Sequence, residues 1–338
     1  MSVPAPATEA MRTVRFHAYG EPGEVLQLDE TAIPRPGPGR IRVHVSACGL
    51  NPADWALCRG LFPGNLPRGI GLDVSGVVDA VGDGVTGISV GDRAFGAPDY
   101  VGYASAGAAD YAILEHWAPV PAGLDLVEAA ALPMAIETAY RYLAWLDVKI
   151  GETLLVNGAG TVIGFAAVQM GLMRGAHVIA TAGDTFAERL RSLGATVTPY
   201  GEGVVERFRE ISSSPPDKIF DTAPTNLRPG IAGPGGVLPD LIKIAGGDPT
   251  RIMSCGDFSA AELGVRTGHG EAPTGQNGAV LRFDKLTEFA ELAANGRFGV
   301  PIARTFALEA WREALELSLG GRAHGKLVLL PSAAAPSR

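Results

Sequence analysis

Cysteine is scarce. The 338-residue chain has three, Cys48, Cys58 and Cys255, with no CxxC pair among them. That spacing excludes a disulfide framework or a cysteine-rich metal knuckle and leaves reduced thiols as the expected state. Basic residues are also in deficit: 28 Lys and Arg stand against 36 Asp and Glu, a net charge of −8. This balance argues against nucleic acid or an anionic membrane surface as a partner. No apolar run approaches the roughly 20 residues that span a bilayer. The longest candidate, residues 162–173, is interrupted by Gly164, Gln169 and Gly171. Residues 1–10 (MSVPAPATEA) have neither a basic start nor an apolar stretch, so a loose tail is expected there rather than a secretion signal, and again at 331–338. His17, His44, His116, His177, His269 and His324 are scattered without metal-ligand spacing. What remains is 46% hydrophobic and 19% charged, the balance of an ordinary soluble globular chain long enough for two domains, and the reduced thiols point to a cytoplasmic protein.

The strongest local signal lies in the middle. Thr153-Leu154-Leu155-Val156 is a short apolar run suited to the centre of a parallel sheet. Asn157-Gly158-Ala159-Gly160 follows, then a helical apolar pattern over residues 161–173, then His177-Val178-Ile179-Ala180 as the next buried strand. Gly158 and Gly160 let the backbone turn tightly and approach a pyrophosphate. Gly164 removes a side chain where the helix presses on the sheet. The helix start at Thr161, Val162 and Ile163 offers unpaired N–H groups and a positive dipole end to phosphates. The spacing is GxGxxxG rather than GxGxxG, and S-adenosylmethionine enzymes use a similar turn. The flanking strands therefore carry the dinucleotide reading.

Cofactors with a free ribose diol usually meet an acid about 20 residues beyond the glycines. Here the second strand ends Ala180-Thr181-Ala182-Gly183, so a neutral Thr181 stands where the acid would be. That favours NADP(H) over NAD(H), with Thr181, Arg189 and Tyr200 as candidates around the 2′-phosphate. Arg189 reads equally as a solvated helix residue, and Asp184 argues mildly the other way.

Residues 11–28, 40–47, 74–81 and 93–95 read as strands with Pro and Gly turns between them, a compact antiparallel or barrel-like pattern. Residues 126–145 turn helical. Beyond the glycine motif, helices at 184–193, 203–211 and 237–245 alternate with strands near 197, 218–221, 251–254 and 279–283. Such alternation predicts a doubly wound parallel sheet. Loops 222–236 and 256–277 are rich in Gly, Pro and Thr. Helices near 284–295 and 309–319 and a strand at 326–330 are expected to return to the first domain.

Four segments together resemble the medium-chain dehydrogenase/reductase superfamily. Gly49-Leu50-Asn51-Pro52-Ala53-Asp54-Trp55 is similar to the GxNPxD signature of its quinone-reductase branch. Gly71-Leu72-Asp73-Val74-Ser75-Gly76-Val77-Val78 with Val81-Gly82 resembles its GxDxxGxV…VG segment, and Gly91-Asp92-Arg93 and Gly325-Lys326-Leu327-Val328-Leu329 also fit. The resemblance implies an α/β chain: a Rossmann domain over 136–281 and a β-rich, GroES-like, partly barrel-shaped catalytic domain over 11–135 and 282–338. It also implies a homodimer, paired through strands near 251–254 and 279–283.

Zinc members of that superfamily hold catalytic zinc with Cys, His and Cys. The corresponding positions here are Asn51, Leu72 and Met134, and Leu72 offers no donor. Residues 95–111 contain no cysteine, so the structural zinc loop is missing too. The implied chemistry is zinc-free hydride transfer from NADPH to a quinone or an α,β-unsaturated carbonyl. By resemblance, Asn51 lines the nicotinamide end, Thr138 meets the nicotinamide side, Asp221 lies at the carboxyl edge of the sheet, and Lys326 lies near the cofactor. Tyr100, Tyr103 and Trp55 are candidate proton donors, unless water serves. Residues 56–59, Ala-Leu-Cys-Arg, depart from the family pattern. An enoyl-thioester reductase and a silent NADPH-binding partner protein remain open. A short-chain dehydrogenase would need a YxxxK pair that is missing, and a methyltransferase leaves GxNPxD unexplained.

Overall fold

The computed structural model describes residues 10–60, 62–223, 236–257, 260–268 and 281–332. Most of both tails, most of the loop 222–236 and half of the loop 256–277 lie outside them. The chain divides into two compact units, Met1–Met134 with Leu286–Arg297 and Ile302–Arg338, and Ala135–Lys285 with Phe298–Pro301.

The first unit begins β1 (Ala10–Phe16), α1 (Pro22–Val25), β2 (Leu26–Ala32), β3 (Ile41–Leu50), α2 (Pro52–Cys58), β4 (Arg68–Gly69), β5 (Asp73–Val81), β6 (Arg93–Pro98), β7 (Tyr111–Pro119) and α3 (Leu126–Ala129). The helix α4 (Pro133–Trp145) leads into the second unit. That unit runs β8 (Thr153–Asn157), α5 (Val162–Met173), β9 (His177–Thr181), α6 (Asp184–Ser192), β10 (Thr196–Thr198), α7 (Val204–Ile211), β11 (Lys218–Asp221), α8 (Leu238–Ile244), β12 (Ile252–Ser254) and β13 (Arg266–Thr267). The chain then returns through α9 (Leu286–Ala294), β14 (Ile302–Ala307), α10 (Trp311–Leu319) and β15 (Lys326–Leu330).

In the first unit the strand order is β14-β15-β3-β5-β6-β7, and β7 also pairs with β3, so part of the sheet closes on itself. Alternate residues Ile41, Val43 and Val45 point into the core with Val74, Ala94, Ala112 and Leu114. The register sets Gly49 opposite Asp73 on one side and Val328 on the other. Distant parts of the sequence thereby meet across one glycine. A Cβ at Gly49 would lie 2.3 Å from Ala130 O and 2.6 Å from Lys326 Cε, so the missing side chain leaves room for the lysine.

The second unit carries a parallel sheet of order β10-β9-β8-β11-β12-β13. The order runs outward one way from β8 to β10 and the other way from β11 to β13. The switch point therefore falls between β8 and β11, where open α/β sheets take their ligands.

Several sequence expectations change. Residues 11–28 form β1, a short helix and the start of β2, because Gly20 and Pro22 interrupt the run. The strand expected at 279–283 is replaced: Leu281 and Arg282 are not in a strand, and Phe283–Lys285 is a 3₁₀ turn. Ala279 and Val280 lie outside the described residues. Ile252–Ser254 pairs on both sides, so it is an interior strand and not an edge open to dimer pairing. Strands β7 and β14 carry mixed polar and apolar residues and escaped the pattern reading.

Candidate functional site

At the switch point, Gly158 has φ +75°, a left-handed value that a side chain would strain. Gly164 is close-packed: a Cβ there would sit 2.4 Å from Gly158 O and 2.7 Å from Thr222 Oγ1. Thr161 caps α5, its Oγ1 accepting from Gly164 N at 2.9 Å. Thr161 N is used by Gly158 O. The N–H groups of Gly160, Val162 and Ile163 have no acceptor among the described residues. This cradle of half-buried donors at a helix start suits a pyrophosphate, which the residues present would hold.

Beneath the turn lies a polar network. Gly158 N donates to Thr181 Oγ1 at 3.0 Å, and Thr181 Oγ1 donates to Asn157 Oδ1 at 2.7 Å. Asn157 Nδ2 donates to Asp221 Oδ1 at 2.8 Å, and Ser254 Oγ donates to Asp221 Oδ2 at 2.7 Å. Thr222 Oγ1 lies 2.9 Å from the carbonyls of Asn157 and Gly158 and 3.0 Å from Thr161 Oγ1. Burial pushes the Asp221 carboxyl up, against the hydrogen bonds from Asn157 and Ser254. Thr181 is thus buried and committed to the turn, which corrects its expected place beside a 2′-phosphate. Tyr200 stays exposed, with its ring edge 3.4 Å from where a Gly183 Cβ would be. Arg189 is exposed and stacks over Phe165, its guanidinium carbon 4.8 Å from the ring centre. Thr138 is buried on α4, its hydroxyl donating to Glu137 Oε2 at 3.1 Å. The acidic Glu137, also bonded by Arg141, gave no signal in the sequence.

The β-rich unit holds a second cluster. Asn51 caps α2 and its Nδ2 donates to Asp73 Oδ2 at 2.9 Å. Lys326 Nζ donates to Asn51 Oδ1 at 2.6 Å and also to Asp73 Oδ2. Met134 N donates to Asp73 Oδ1 at 2.7 Å. Asp54 ties the cluster's backbone, accepting from Asn51 N at 2.7 Å and Gly71 N at 2.6 Å, and burial pushes its carboxyl up to about 7. Asp54 and Asp73 stand inside the GxNPxD and GxDxxGxV segments, so the motifs carried a signal that neither carboxylate was given a role for.

The proton-donor candidates divide. Trp55 is buried and donates Nε1–H to Ser318 Oγ at 2.8 Å, a packing role in place of the expected proton donor's. Tyr103 OH pins the Pro-Gly loop, accepting from Gly37 N at 3.1 Å and donating to Arg35 O at 3.0 Å. Tyr100 is half-buried on the core, with Arg68 over its ring, and burial pushes its phenol up.

These donors do not fit catalytic zinc. Leu72 is aliphatic, the Asn51 amide is bonded on both sides, and Asp73 already accepts from Asn51, Lys326 and Met134. Among the described residues no group of His, Cys, Asp and Glu could hold a metal ion. No described helix is long and apolar enough to cross a membrane.

Residues 37–122 match the family model for the alcohol dehydrogenase GroES-like domain, and residues 176–329 match that for zinc-binding dehydrogenases. Human quinone oxidoreductase is 36% identical over 192 residues, a stretch covering 55% of this chain and 57% of the human protein. The quinone oxidoreductase of Sus scrofa is 29% identical over 96% of this chain and 99% of its own length. The solved quinone oxidoreductase of Coxiella burnetii superposes with a TM-score of 0.76 at 26% identity, covering 95% of this chain and 99% of that one. Matches along both units, over a shared fold, place the chain: it belongs to the medium-chain dehydrogenase/reductase superfamily, in its quinone oxidoreductase branch.

Proposed function

We propose that the chain is an NADPH-dependent oxidoreductase that delivers hydride to a quinone or an α,β-unsaturated carbonyl without zinc. The observation that carries the reading is the cradle at Gly160, Val162 and Ile163, set at the switch point of a parallel sheet. A nicotinamide dinucleotide bound there would supply the hydride. Gly158 and Gly164 hold the turn in shape, and the Asn157–Thr181–Asp221–Ser254 network keeps it rigid from below.

The preference for NADPH rests on the end of β9, where a neutral Thr181 stands in place of the usual acid, against the nearby Asp184 at the start of α6. With Thr181 turned inward, Tyr200 beside Gly183 and the exposed Arg189 are the side chains assigned to that phosphate. Asn51 is assigned to the reacting end, with Thr138 beside the nicotinamide. Tyr100 remains a proton donor, with water as the other source. The zinc-free reading rests on the donor set: without a Lewis acid, alkoxide formation from a simple alcohol is unsupported, whereas a conjugated acceptor spreads its charge to a distant oxygen. We assign the chain to the cytoplasm as a homodimer, which light scattering would test by giving twice the chain mass.

Purified protein should consume NADPH faster than NADH with at least one acceptor among quinones, enals and enoyl thioesters. Turnover with thioesters alone would move the substrate to a biosynthetic enoyl chain. Tight NADPH binding with no turnover would leave a silent binding protein and overturn the reductase reading.

A further inference from the structure

The Asn51 amide has only one orientation that its neighbours accept. Protonated Lys326 Nζ is a donor without lone pairs and lies 2.6 Å from one amide atom, which is therefore the oxygen. Asp73 Oδ2 accepts from the other amide atom, 2.9 Å away, which is therefore the nitrogen. Reversal would set N–H against ammonium and oxygen against carboxylate. Lys326 is 1% exposed and Asp73 0%, so water relieves neither clash. Asp73 is itself held, its second oxygen accepting from Met134 N at 2.7 Å. One N–H of Asn51 is used by Asp73, and the second has no acceptor among the described residues, while Asn51 keeps 8% exposure.

We infer that Lys326 and Asp73 are positioning residues that lock Asn51 as a hydrogen-bond donor, and that the group it meets is the carbonyl oxygen of the electron acceptor. A free amide would offer oxygen as readily as N–H, and oxygen would repel that carbonyl. The ammonium on Oδ1 also polarises the amide and strengthens its second N–H. Such a donor, fixed in advance where negative charge develops, is what conjugate reduction requires. The inference rests on the reductase function proposed above, and it assigns Lys326 to Asn51 rather than to the dinucleotide.

The test uses the full chain in two variants. The double variant Asp73→Asn with Lys326→Met removes both charges together and strands neither, and Lys326→Arg keeps the cation. Side-chain ¹⁵N–¹H spectra, recorded without ligand, should show the Asn51 NH₂ protons well separated and slow to exchange in the wild type. They should collapse toward ordinary values in the double variant and persist in Lys326→Arg. In turnover with a quinone or enone, kcat of the double variant should fall about 100-fold, the order seen on losing one oxyanion donor. The KM for NADPH should stay within about twofold, because uniform binding is untouched. Lys326→Arg should recover most of the rate. Unchanged Asn51 resonances in the double variant would overturn the lock, and a collapsed lock with unchanged kcat would overturn its part in the reaction. Absence of any wild-type turnover would sink the reductase reading instead, and the spectra would still decide the lock.

Discussion

Each unit buries an asparagine that donates to an aspartate and accepts from a third side chain, but the third partner differs. Asn157 donates to Asp221 and accepts from the hydroxyl of Thr181. Asn51 donates to Asp73 and accepts from the ammonium of Lys326. The first network carries no cation, and its members fasten β8, β9, β11 and β12 under the glycine turn. The second carries an ion pair, and its cation fixes the Asn51 amide in one orientation. Similar geometry thus serves two ends: without a cation the partners fix backbone shape, while with one they fix the direction in which one polar group faces.

The largest expected effect separates the two by charge. Lys326→Met alone strands the Asp73 carboxylate in the core, and urea unfolding should register a loss of about 3–5 kcal/mol. Gly164→Ala comes next. Its Cβ meets Gly158 O and Thr222 Oγ1, so about 3 kcal/mol of overpacking is expected, with the NADPH dissociation constant raised by direct titration. Thr181→Val keeps shape but leaves Gly158 N without its acceptor and Asn157 Oδ1 without its donor. A loss of about 1–2 kcal/mol is expected, again with weaker NADPH binding.

A further effect is on pH. Asp54 is raised to about 7 in the folded chain, whereas an unfolded Asp titrates near its ordinary value of about 3.9. Between those values the native state binds more protons than the unfolded state. Asp54 therefore contributes a fall in stability as pH rises through this window and no further change above it. Asp54→Asn should flatten that part of the profile, read as urea midpoints between pH 5 and 8.

The strand–turn–helix at β8–α5 was legible because a buried parallel strand and a glycine turn are local patterns. The motif also named Gly160, Val162 and Ile163, whose N–H groups have no acceptor among the described residues and are proposed to hold the pyrophosphate. Thr181 was misplaced because alternation along a strand buried on both faces does not say which residues face the turn. The Asn51–Asp73–Lys326 cluster was only partly legible. Its members are far apart in sequence and meet through the register around Gly49, which no local pattern encodes. Trp55 and Tyr103 misled for a related reason, since a polar tip on an aromatic reads alike whether it pins a loop or meets a ligand.

The most direct test of the difference between the two networks is the rate of NADPH oxidation at saturating NADPH and acceptor, compared between Thr181→Val and the Asp73→Asn, Lys326→Met double variant. The account predicts a rate near wild type for the first, whose loss is in binding, and a rate about 100-fold lower for the second. Equal losses in both, or a larger loss in Thr181→Val, would contradict it.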